Sequence, residues 1–196
     1  MVLQLVSTLA AIAVPIVVAV VGYRLNQRLK DWEATHWRNQ ELIKARLQYF
    51  DRLAPMLNDL LCYFTYIGRW RELTPPEVVA LKRDTDRLFL SVAPLFSQDA
   101  VDEYRAFMRQ CFERPSGWGS DVLLRTGFSR RREILGDAWR GEWEAMFASA
   151  SDGNVGLEIA DLRAGYDRLV GALVEDVGIQ TRRGRYTSTW SVPDVR

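Results

Sequence analysis

The side chains of this 196-residue chain best suited to chemistry are the arginines of two clusters. Arg130, Arg131 and Arg132 are consecutive, with Arg125 shortly before and Arg140 after. Arg182, Arg183 and Arg185 stand together further on, beside Tyr186 and Trp190. A guanidinium presents a planar fork of donors that matches a phosphate, and aromatic rings give bases a surface to stack on. Trp118, Trp139 and Trp143 lie near the first cluster in sequence. Together these residues point to a nucleotide or a short single-stranded nucleic acid as ligand. The triplet itself argues the other way: neighbours turned by about 100° each on a helix cannot share one face. The competing readings are a solvated helix start, a contact with anionic lipid, or tryptophans that simply pack.

Other chemistry is sparse. The chain has no Gly-rich phosphate loop, no nucleophile elbow, no HExxH and no CxxC. Its one histidine, His36, stands beside Trp37 without a Cys or His at metal-ligand spacing, so packing is its expected role. Cys62 and Cys111 are far apart and each flanked by apolar residues, which predicts reduced, buried, inert thiols. Acidic groupings such as Asp84/Asp86, Asp99/Asp102/Glu103 and Glu142/Glu144 lie among Lys and Arg and read as solvated faces. No catalytic residue, metal site or cofactor is expected, and the chain does not read as an enzyme. With 26 Lys+Arg against 25 Asp+Glu, no global field draws it onto nucleic acid; only local clusters do.

The elements that hold these groups begin with an uncharged run. Residues 2–22 carry no charged side chain, and the basic segment YRLNQRLK follows, with Arg24, Arg28 and Lys30. As a helix the run is roughly 31 Å long at about 1.5 Å per residue, close to the hydrocarbon thickness of a bilayer. Residues 1–22 are therefore predicted to form a single transmembrane helix. The flanking cations put the N-terminus outside and the body in the cytoplasm. A cleaved signal peptide is the competing reading, but no Lys or Arg precedes Arg24 and the run exceeds the usual signal core.

Its faces are sorted. Gln4, Ser7, Thr8, Ala11, Pro15, Ala19 and Gly22 fall within one arc of about 120°, while Leu3, Leu5, Leu9, Ile12, Ile16, Val17 and Val20 largely fill the rest. Lipid rewards no such sorting, whereas small residues let helices approach and buried polar groups seek partners. The stripe predicts a homo-oligomer, a tetramer or larger, whose helices line a narrow pore with Gln4, Ser7 and Thr8. A lone anchor whose small residues fell together by chance is the alternative. Pro15 removes a backbone hydrogen bond and predicts a kink.

Residues 23–53 continue as an amphipathic stalk, with Leu25, Leu29, Trp32, His36, Asn39, Ile43, Leu47 and Phe50 advancing by threes and fours. A helical bundle is predicted over 54–177, followed by a basic extended tail over 178–196. Pro55 reads as a break or a new first turn. Thr74-Pro75-Pro76-Glu77 is a helix start, with the helix reaching about Val92. Ser97 caps a helix over 98–113, a short helical turn is expected at 121–124, and further helices at 129–149 and 156–177. No strand alternation and no internal repeat is visible, so the fold class expected is all-α, a bundle of about five or six helices.

An N-terminal membrane helix with a small and polar stripe, a basic stalk at 23–30 and a small helical body resembles the membrane channel effectors of bacterial anti-phage nucleotide-signalling systems, the Hailong-type channel subunits. The resemblance is one of layout over most of the chain, and no residue role is taken from it. It implies a bacterial inner-membrane location and an ion channel built from the N-terminal helices of several subunits. It also implies control of that channel by an oligonucleotide, made by a partner nucleotidyltransferase and bound to the cytosolic part. The alternative is a non-conducting scaffold or sensor that holds a partner protein at the membrane.

Overall fold

The computed structural model describes residues 2–114, 121–149 and 158–178, with side chains from residue 23 onward except at 31–36, 38 and 149. The chain is mostly helical and divides into two units, Met1–Lys44 and Ala45–Arg196. Helix α1 runs Val2–Thr65, so the stalk boundary expected at 53/54 falls inside it, and the second unit already begins at Ala45.

In the first unit the side chains of Tyr23, Leu25, Leu29, Trp37 and Ile43 are exposed, as are Arg24, Arg28 and Lys30. Among the residues whose side chains are described, no helix is long and apolar enough to cross a membrane. The run 2–22, on which the expected membrane span rests, is helical in α1, but its side chains lie outside those described.

The second unit holds the core. From Leu53 onward α1 buries one face, Leu53, Leu57, Leu60 and Phe64, at the three-to-four-residue spacing that brings side chains onto one stripe. Pro55 does not break the helix. Its ring is exposed, while Leu53 and Leu57 on either side are fully buried and hold the backbone in place. The helix ends at Tyr66, which adopts φ 58° and lets the Ile67 N–H reach the Cys62 carbonyl at 3.1 Å. That left-handed cap is usually given to glycine.

Helix α2 (Pro75–Val92) starts where the local signal predicts: the Thr74 N–H and hydroxyl both donate to the Glu77 carboxylate at 2.7 Å. In α3 (Gln98–Cys111) the Ser97 hydroxyl accepts from the Ala100 N–H at 3.2 Å. Val101, Tyr104, Phe107, Met108 and Cys111 turn inward. Helix α5 (Ile159–Asp176) lies along α3 through Leu162, Leu169 and Leu173. Gly165 faces the side-chain amide of Gln110 on α3, which a Cβ at this position would push aside. Arg46 ties the ends together, donating to the Leu95 carbonyl at 2.5 Å and the Asp176 carbonyl at 2.6 Å.

Two expected helices are corrected. The segment read as a helical turn at 121–124 leads into a strand, β2 (Leu123–Gly127), with Thr126 and Gly127 buried. It is the centre of a small three-stranded sheet, antiparallel to β1 (Phe112–Glu113) and parallel to β3 (Phe147–Ser149). The helix expected over 129–149 is only α4 (Ser129–Leu135). Gly136 at φ 50° closes it with its N–H on the Arg132 carbonyl, and two short 3₁₀ turns, Gly136–Ala138 and Gly141–Met146, follow. Two glycines within six residues, at 136 and 141, outweigh the helical spacing of the apolar side chains.

Candidate functional site

The arginine triplet is split three ways. Arg131 points inward and is 1% exposed. Its Nη1 donates to the Tyr66 hydroxyl at 2.7 Å, to Thr126 Oγ1 at 3.0 Å and to the Gly127 carbonyl at 2.7 Å, and its Nη2 donates to the Tyr63 carbonyl at 2.7 Å. The guanidinium also lies 4.3 Å from the ring centroids of both Tyr63 and Tyr66. Burial pushes the Tyr63 hydroxyl up to about 12, partly offset by the Arg131 charge. Arg131 thus joins the end of α1 to the β2–α4 corner and is closed to a ligand. Arg131 therefore does not belong with the expected ligand residues: helical geometry turns the three neighbours apart, and the contacts with Tyr63 and Tyr66 take this one into the core.

Arg130 is exposed, 5.1 Å from the Tyr66 ring, and Arg132 pairs with Glu144 at 3.0 Å. Trp139 and Trp143 meet edge to face at 5.4 Å, and Trp139 also stacks near Phe128 at 6.1 Å, so both serve packing. Arg182, Arg183 and Arg185, with Trp118, Tyr186 and Trp190, lie outside the described residues, as do the side chains of Gln4, Ser7, Thr8, Ala11, Pro15, Ala19 and Gly22.

A concave site opens elsewhere in the second unit. A cavity of about 620 Å³ lies between α2, α3 and β2, lined by Lys82, Asp86 and Leu90 from α2 and by Tyr104, Arg105, Met108 and Arg109 from α3. Phe112, Glu113, Arg114, Val122 and Arg125 complete it. Five cations face two carboxylates there. The inner acid, Asp86, is already engaged by Lys82 Nζ at 2.5 Å and by the Tyr104 hydroxyl at 2.7 Å. Burial, followed by the Asp86 carboxylate, holds the Tyr104 hydroxyl well above the usual phenol range. Lys82 also lies 5.5 Å from the Phe112 ring, which closes the floor.

Toward the rim, Arg105 pairs loosely with Asp102 at 3.4 Å. Arg125 donates through Nη1 to the Arg109 carbonyl at 3.0 Å, while its buried Nε has no acceptor among the described residues. Arg83 and Asp121, next in sequence to the lining residues Lys82 and Val122, pair with each other. The arrangement can hold an anion against an apolar wall. A second cavity, between α1 and α2, is charge-balanced: Asp51 and Asp84 face Arg52 and Arg87. Among the described residues no group of three His, Cys, Asp or Glu converges as a metal site.

The α2–α3 cavity is absent from the sequence expectation because no motif announces it. The available signal was the pair Arg105 and Arg109, four apart on the face next to inward Tyr104 and Met108, and Arg125 one residue from Thr126. Their convergence with Lys82 and Arg114 needs the packing of α3 on α2 and the turn into β2. No family model, curated protein or solved structure matches this chain.

Proposed function

We propose that the chain is an oligomeric membrane effector: its N-terminal helices enclose an ion-conducting pore, and its helical body senses a nucleotide or oligonucleotide signal in anti-phage defence. In this reading the N-terminus lies outside the bacterial inner membrane and the body in the cytoplasm. The observation that carries it is the sorting of Gln4, Ser7, Thr8, Ala11, Pro15, Ala19 and Gly22 onto one arc of an uncharged run that belongs to α1. The exposed apolar side chains of Leu25 and Leu29 further along the helix support association of copies. The cationic cavity of the body supports an anionic ligand. A ligand can gate only if it binds the open and closed states unequally; swinging a population from 1:99 to 99:1 takes roughly 10⁴-fold discrimination.

The test is native mass of the full-length protein in nanodiscs, followed by bilayer recordings with and without short oligonucleotides. A tetramer or larger ring with ligand-dependent conductance is expected. Gln4→Leu and Thr8→Leu should change unitary conductance, whereas Leu9→Val on the opposite face should not; equal effects from both faces would end the pore assignment. A monomer or dimer would favour the second reading, a non-conducting anchored scaffold, in which any other membrane helix substitutes for residues 2–22 without loss of function.

A further inference from the structure

We infer that the cavity between α2, α3 and β2 binds a nucleotide-sized, phosphate-bearing anion, with Arg109, Arg114 and Arg125 holding the phosphate; this rests on the reading of the body as a nucleotide sensor and moves its site away from the 130–132 triplet. The charge balance carries the assignment. The inner carboxylate is spent on Lys82 and Tyr104, at 2.5 and 2.7 Å, which leaves four lining arginines against the single remaining carboxylate, Glu113. Arg109, Arg114 and Arg125 form no ion pair with the described residues. Arg125 is oriented by its Nη1 bond to the Arg109 carbonyl at 3.0 Å, which fixes its guanidinium in the cavity wall.

Shape and wall chemistry set the rest of the ligand. About 620 Å³ sits within the roughly 300–1,000 Å³ of small-molecule sites, room for one or two nucleotides and not for a duplex. Leu90, Met108 and Val122 give the same cavity an apolar side on which a planar base can lie while the arginines hold its phosphates. The charge-balanced cavity between α1 and α2 offers an anion no such excess.

The experiment is calorimetric titration of the full-length protein in nanodiscs with ADP and with inorganic pyrophosphate, at fixed salt because the field is screened. ADP is expected to bind once per chain and more tightly than pyrophosphate, since only ADP uses the apolar wall. Arg109→Gln with Arg114→Gln, both exposed positions, should weaken ADP by at least about tenfold, the loss expected for a charge-assisted contact, with an unchanged melting temperature. Arg130→Gln with Arg132→Gln should bind ADP as the parent does. The inference is overturned by no binding of either probe, by full binding in the Arg109/Arg114 variant, or by loss confined to the Arg130/Arg132 variant. Oligonucleotide-dependent conductance without ADP binding would sink this site and keep the proposed function. ADP binding through Arg109 and Arg114 in a chain that never conducts would keep the site and sink the pore.

Discussion

A buried guanidinium with no carboxylate beside it among the described residues needs other compensation, and both Arg131 Nη atoms have it in four neutral acceptors and two tyrosine faces, while Nε has no partner among the described residues. Cation–π contacts reach about 2 kcal/mol when desolvated, and hydrogen bonds from a charged donor contribute about 1.5–3 kcal/mol. Arg131→Met strands the Tyr63 and Gly127 carbonyls, and a loss of about 3–5 kcal/mol is expected in the unfolding free energy from urea titration of the full-length protein in micelles. Tyr66 makes a sharper test because two effects oppose there. Tyr66→Gly relieves the left-handed backbone, about 1 kcal/mol, but removes a hydrogen bond and a ring face from Arg131, together worth more. Net destabilisation is expected; a more stable glycine variant would mean that backbone strain outweighs the ring. At this scale the sequence reads only halfway. Helical turn geometry says that the three arginines must part, but which one enters the core is decided by Tyr63 and Tyr66, more than sixty positions earlier in the chain.

Elements were legible where their chemistry is local. The start of α2 follows from Thr74, Pro75 and Glu77 alone, and its cap makes a pH prediction. Hydrogen bonds from the Thr74 N–H and hydroxyl hold the Glu77 carboxyl below its ordinary value of 4.5. The cap therefore contributes stability above about pH 4.5 and loses it as pH falls through the lower folded value. Replacing Glu77 by Gln should lower stability near pH 7 by about 1 kcal/mol or less, since the site is well exposed, and the gap to the parent should close by about pH 3. A gap that stays constant with pH would show that charge has no part in the cap. The sheet, by contrast, could not be read locally. β2 pairs with β1 across the 114–122 connection and with β3 some twenty residues later, and neither partner is longer than three residues. The same strand places Arg125 at the cavity and Thr126 on Arg131, because successive strand residues face opposite sides. No single window of sequence contains that pairing.

For the molecule as a whole, helical content and the apolar N-terminal run could be read from hydrophobic period, whereas the cavity emerged only from packing. The exposed leucines of α1 give the whole-molecule prediction. Leu25 and Leu29 are 56% and 55% exposed, and burying what remains between copies would recover about 1–1.5 kcal/mol each. Leu25→Glu with Leu29→Glu should shift the native-mass distribution in nanodiscs toward monomer; an unchanged distribution would leave association to the N-terminal run alone. The core also contains its own clock. Cys111 is fully buried with its thiol pushed well above the ordinary range by burial, while Cys62 is only partly covered. A maleimide should therefore consume one equivalent from the folded chain, and a second only as often as α3 leaves the core. The lag between the two equivalents counts the excursions of the body out of its native state.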